Sequence, residues 1–92
     1  MANLVRKSNL VQGGRYWEEC TMGTEAMELM IKKKTDDMII LKYKKPLPVS
    51  GGREVKFSMK KFMRYQDFRY WDSEPTDEER EFTKWTKDYG EE

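Results

Sequence analysis

AMELMIKKK at residues 26–34 and MIILKYKK at residues 38–45 share one pattern. In the first, Met27, Leu29 and Ile31 alternate with Glu28, Met30 and Lys32. In the second, Ile39, Leu41 and Tyr43 alternate with Met38, Ile40 and Lys42. A period of two places each set on one face of a pleated strand. Lys34-Thr35-Asp36-Asp37 between them is polar and turn-forming, so the stretch predicts an antiparallel hairpin. A helix can also be drawn through 24–34, but the β-rich partner at 38–43 argues for strands.

Working outward, Gly13-Gly14 is a turn signal, and Arg15 to Cys20, with Tyr16 and Trp17, suits a half-buried strand. Pro46 and Pro48 end the second arm, since proline cannot donate to a ladder. After the Val49-Ser50-Gly51-Gly52 loop, Arg53 to Phe57 returns as a fourth strand. Ser58 fits a helix N-cap, and Met59, Phe62, Met63 and Tyr70 would share one side of a helix near 58–70. Phe68-Arg69-Tyr70-Trp71 reads equally well as extended. Thr76 and Glu79 form a T-x-x-E capping box opening a second helix at 76–89, with Phe82, Trp85 and Tyr89 as its apolar stripe. The expected architecture is α+β: a small four-stranded antiparallel twisted sheet, or an SH3-like half-barrel, followed by two short helices. Residues 1–12 read as a tail, 13–71 as a basic β-rich domain, and 72–92 as an acidic C-terminal helix docked on it.

The chain has 92 residues and a net charge of +1, enough for one domain. Leu, Ile, Val and Phe supply only 16 residues, so seven Met, three Trp and five Tyr are expected to complete a Met-rich core. The near-neutral total hides an asymmetry: residues 1–71 carry +7 and residues 72–92 carry −6. Such polarity points to a polyanionic partner and an acidic appendage, although a charge run is also what a solvated face looks like.

Without His, imidazole triads, His-ligated metals and imidazole proton shuttles are excluded. The one cysteine, Cys20, precludes an internal disulfide and any Cys-only zinc site. It fits a reducing compartment, which predicts a cytoplasmic protein (the host cytoplasm if the gene is viral). No apolar run approaches a membrane span, and the N-terminus lacks a signal peptide's apolar region. Asp36 or Asp37 with Glu54 and Lys56 outlines a D…E-x-K metal-dependent nuclease site, but E-x-K arises easily in so charged a chain. The sequence therefore predicts no catalysis, no cofactor and no metal.

Cations interleave with rings from Lys56 to Trp71, a pattern suited to single-stranded nucleic acid because cations follow phosphates while rings stack bases. The competing reading is that these rings are core. Gly14-Arg15-Tyr16, the hairpin, and Gly52-Arg53 leading through Val55 and Phe57 into a helix together resemble the PC4-like single-stranded DNA-binding fold over residues 13–68. That resemblance implies nucleic-acid contacts from Arg15, Tyr16 and Arg53. The full expected interface is Arg15, Tyr16, Lys32, Lys34, Arg53, Lys60, Lys61, Arg64, Tyr65 and Phe68. The alternative is a small protein-binding regulator or inhibitor, such as a phage-encoded factor blocking a host or defence enzyme, acting through Phe82, Trp85 and Tyr89. A homodimer through sheet edges or faces stays open.

Overall fold

A computed structural model describes residues 1–21, 23 and 25–83. The strands are β1 (Leu4–Val5), β2 (Arg15–Cys20), β3 (Met27–Lys34), β4 (Met38–Tyr43), β5 (Glu54–Ser58) and β6 (Phe68–Trp71). The helices are α1 (Met59–Arg64) and α2 (Asp77–Phe82), with a single 3-10 turn at Lys7–Asn9. All strands pair antiparallel in one sheet of order β1-β6-β2-β3-β4-β5. The expected hairpin is β3–β4, and β2 to β5 form a meander. The sheet is open and six-stranded, which corrects the four-stranded sheet or half-barrel expected from the sequence.

The two additional strands have separate causes. The helix expected near 58–70 stops at Arg64, where Tyr65 turns to an extended conformation. Phe68 to Trp71 then become β6 between β1 and β2. Alternation suits this position: Phe68 and Tyr70 face the core, while Arg69 and Trp71 face the other side, where both are also buried. The 1–12 segment, read as a tail, is packed into the fold. Leu4 and Val5 pair with Trp71 and Tyr70, and Leu10 is fully buried.

One face of the sheet carries the core. Leu29, Ile31, Ile39, Leu41, Tyr16, Tyr43 and Tyr70 lie beneath Leu10 and the Phe62 ring of α1. No methionine belongs to the buried set among the described residues; Met27, Met59 and Met63 pack at its margin. The core is aliphatic and aromatic rather than Met-rich. Gly13 sits at φ +86°, a left-handed conformation that costs glycine nothing. It donates to the Ile31 carbonyl as the chain turns into β2.

Lys7 is buried at the foot of this core. Its ammonium donates to the Phe62 carbonyl at 2.9 Å and to the Tyr65 carbonyl, and it lies 5.0 Å from the Phe62 ring centroid. These carbonyls end α1, so a lysine from the N-terminal segment caps the helix where its dipole favours a cation.

The expected caps are present. Ser58 Oγ accepts from the Lys61 amide. Thr76 Oγ1 accepts from the Glu79 amide while Glu79 Oε1 accepts from the Thr76 amide. Glu79 Oε2 also accepts from the Ala2 amide at 2.8 Å, tying α2 to the start of the chain. Positions 84–89 of the expected second helix, with Trp85 and Tyr89, lie outside the described residues. Phe82 is 82% exposed, and α2 buries no residue of its own. Polar contacts hold it.

Two consecutive buried glutamates in β2 organise the polar contacts, and the pleat sends them to opposite faces, so that it is Glu19 that reaches α2. Glu18 enters the core face and accepts from the hydroxyls of Tyr43, at 2.8 Å, and Tyr70, at 2.7 Å. Burial raises its pKa, opposed by those hydrogen bonds and by the charge of Lys7. Glu19 faces α2 and accepts from Arg69 Nε at 2.7 Å, Trp71 Nε1 at 2.9 Å and Arg80 Nε at 3.0 Å. Burial raises its pKa too, but these three donors outweigh burial and hold the carboxyl below the usual range. Arg69 also donates to the Arg80 and Thr83 carbonyls, closing the end of α2. No buried side-chain polar atom lacks a partner among the described residues.

The two glutamates pull stability in opposite directions with pH. A carboxyl raised in the folded state contributes most below its unfolded value and loses that contribution as pH rises through the folded one. Glu18→Gln is therefore expected to be less destabilising at pH 8 than at pH 4. Urea unfolding midpoints at both pH values check this; an equal cost at both would show that Glu18 titrates like an exposed carboxylate.

Candidate functional site

Among the described residues, α2 covers the second face of the sheet only at its β6 end. Its remainder is open across β2 to β5, and register fixes which side chains meet there. Arg15, Met30, Lys42 and Glu54 form one cross-strand row. Lys33, Ile40 and Lys56 form the next on one side. On the other side Trp71, Trp17 and Glu28 are in line, with Lys44 pairing onto Glu28. The register shift in β3 between Ile31 and Lys33 moves Lys33 onto this open face and turns Lys34 toward the core side.

Met30 and Ile40 are half-buried and make an apolar floor; Arg15, Lys33, Lys42 and Lys56 stand exposed around it. Of the acids around it, Glu54 and Glu28 stand in these strand rows, and a lysine meets each. Lys32 Nζ lies 2.7 Å from Glu54 Oε1, and Lys44 Nζ lies 3.5 Å from Glu28 Oε1. The Lys32 hydrogen bond, with the charges of Lys32 and Lys42, holds the Glu54 carboxyl below its usual range. Arg15, Lys33 and Lys56 make no side-chain hydrogen bond or ion pair among the described residues. The excess positive charge of the face is theirs, together with Lys42. Two depressions of about 270 and 260 Å³ adjoin on this face and share Glu28 and Lys44.

The residues singled out from the sequence divide among three places. Arg15 and Lys32 stand on the open face, and Arg53 lines the depression beside Arg15. Lys60, Lys61 and Arg64 are exposed on α1, across the sheet from that face. The others are structural. Tyr16 is buried and its hydroxyl accepts from the Val11 amide at 3.1 Å. Lys34 donates to the Ser8 and Leu10 carbonyls, anchoring the N-terminal segment. Tyr65 and Phe68 are half-buried and stack edge-on, with Phe57 on the other side of Tyr65. The rings of 56–71 thus pack inward, and the open face takes its flat surface from Met30, Ile40 and Trp17.

Sequence reasoning passed over Lys33, Lys42 and Lys56 as a set. The alternation that defined the hairpin held the signal, because it puts Lys42 on the face of Ile40 and Met30 on that of Glu28. The nuclease outline comes apart. Met38 and Lys42 face Ser58 and Glu54, so Glu54 and Asp37 are separated by more than four residues of strand, at least about 13 Å. No group of three or more His, Cys, Asp or Glu able to hold a metal occurs among the described residues. No helix among them is long and apolar enough to cross a membrane. Compared with known proteins, the chain matches no family model, no curated protein and no solved structure.

Proposed function

We propose that this is a non-enzymatic nucleic-acid-binding protein that prefers single strands and holds them on the open face of β2 to β5. One observation supports the reading most directly: Arg15, Lys33, Lys42 and Lys56 surround an apolar floor while the acids of these strand rows, Glu28 and Glu54, are engaged by other lysines. Cations of this kind follow a phosphate backbone, and the floor accepts bases without reading their sequence. Three strand spacings make the face about 14 Å wide, which suits a few nucleotides of a flexible strand.

Binding should weaken log-linearly with salt. With about four phosphates neutralised, the slope of log K against log [salt] is expected near −3, a loss of roughly 50- to 100-fold between 50 and 200 mM. Filter binding of a labelled single-stranded oligonucleotide across that range measures it. A slope near zero, or no binding at 50 mM, would rule the proposal out.

A second reading, a protein-binding regulator, draws on the exposed Phe82 ring at the end of α2. It requires an interaction largely independent of salt, so the same titration separates the two.

A further inference from the structure

The two depressions of the open face have opposite charge. One is lined by Arg15, Lys42, Lys44 and Arg53 against Glu28 alone, over Met30. The other is lined by Glu25, Glu28 and Glu74 against Lys44 and Lys45, beside Trp17 and Ala26. Trp17 lies two residues along β2 from Arg15 on the same face, so its indole continues the floor that Met30 begins. Glu25 and Glu74 are exposed and make no hydrogen bond or ion pair among the described residues.

Resting on the reading of this face as a single-strand site, we infer that it holds the end of a strand, with the terminal nucleoside in the depression beside Trp17 and its phosphate in the one beside Arg15. Each depression falls just short of the ~300 Å³ at which drug-sized pockets begin, a size for one sugar and base. The cationic depression takes the phosphate linking the last two nucleotides. In the acidic one, the indole stacks the terminal base and the carboxylates accept from its amino edge. A backbone continuing further would place its next phosphate between Glu25 and Glu74, where no cation outnumbers them. The charge reversal along the groove therefore selects strands that stop there with a free hydroxyl.

The test compares a linear single-stranded oligonucleotide with its covalently closed circle of the same sequence, using the full chain in a low-salt competition assay. The linear form is expected to bind roughly tenfold tighter, the scale of one phosphate held against two exposed carboxylates at high dielectric. A phosphate added at one terminus, the 5′ or the 3′, should weaken the linear form by a similar factor, and the sensitive end gives the polarity. Glu25→Gln with Glu74→Gln should bring circle and line to within about twofold, since it removes that same repulsion. A melting curve matching the parent's confirms that this variant folds. Equal affinity for line and circle in the parent protein, a terminal phosphate without effect at either end, or a preference unchanged in the double variant each overturns end recognition. Failure to bind either form contradicts the single-strand reading instead.

Discussion

Glu19→Ala is expected to remove a large share of the protein's stability. Arg69 is fully buried and its Nε has Glu19 as acceptor at 2.7 Å. Deleting the carboxylate takes the acceptor from the buried Arg69 Nε and from the Trp71 indole N–H, and removes the contact to Arg80 Nε. Breaking a buried pair in this way costs about 3–5 kcal/mol, against a total of roughly 5–14 kcal/mol for a domain of this size. Chemical denaturation should show the loss, and near-ultraviolet circular dichroism should report release of Trp71. Glu19→Gln keeps a carbonyl acceptor and is expected to cost less than alanine. The pH dependence follows the depressed carboxyl: its contribution is present above the ordinary glutamate value of 4.5 and is lost as pH falls through the folded value below that. An alanine variant with an unchanged denaturation midpoint would show that the cluster holds nothing together.

Phe62→Ala is expected to cost a similar amount, by a different mechanism. Phe62 is the residue through which α1 enters the core. Its ring lies 5.9 Å from that of Phe57 and 5.8 Å from that of Tyr70, and its other side meets the Lys7 ammonium. Truncating a buried phenylalanine costs about 3–5 kcal/mol through lost burial and the cavity left behind. At 4–8 °C per kcal/mol for a domain of this size, the melting temperature should fall by roughly 12 °C or more. A fall of only a few degrees would mean that α1 packs independently of this ring.

These two residues also show where the sequence could be read and where it could not. Phe62 was legible, because Met59, Phe62 and Met63 repeat at helical spacing behind a serine cap. The β3–β4 hairpin was legible for the same reason, with its period of two and a polar turn. Glu18 and Glu19 were not. Two consecutive acids in a strand look half-exposed, and their partners Tyr70, Arg69 and Arg80 lie 50 to 61 residues away. Lys7 was hidden in the same way, since a lysine near the N-terminus reads as solvated until the α1 carbonyls are brought to it. β6 is only four residues long, too short for its alternation to outweigh a helix continued from 59. The cations of the open face were half-legible. Alternation places Lys42 beside Ile40, but Lys33 reaches that face only because β3 shifts register.

The central claim is that the open face, rather than the cations of α1, holds the nucleic acid. It is tested most directly by comparing Arg15→Ser/Lys42→Ser/Lys56→Ser with Lys60→Ser/Lys61→Ser/Arg64→Ser in binding to a linear single-stranded oligonucleotide. All six residues are exposed, so both variants should fold. The sheet-face variant is expected to lose binding by well over tenfold and to flatten the salt slope by about 2, at roughly 0.7 per lost phosphate contact, while the α1 variant stays close to the parent. A loss confined to the α1 variant, with the sheet-face variant unchanged, would contradict the assignment.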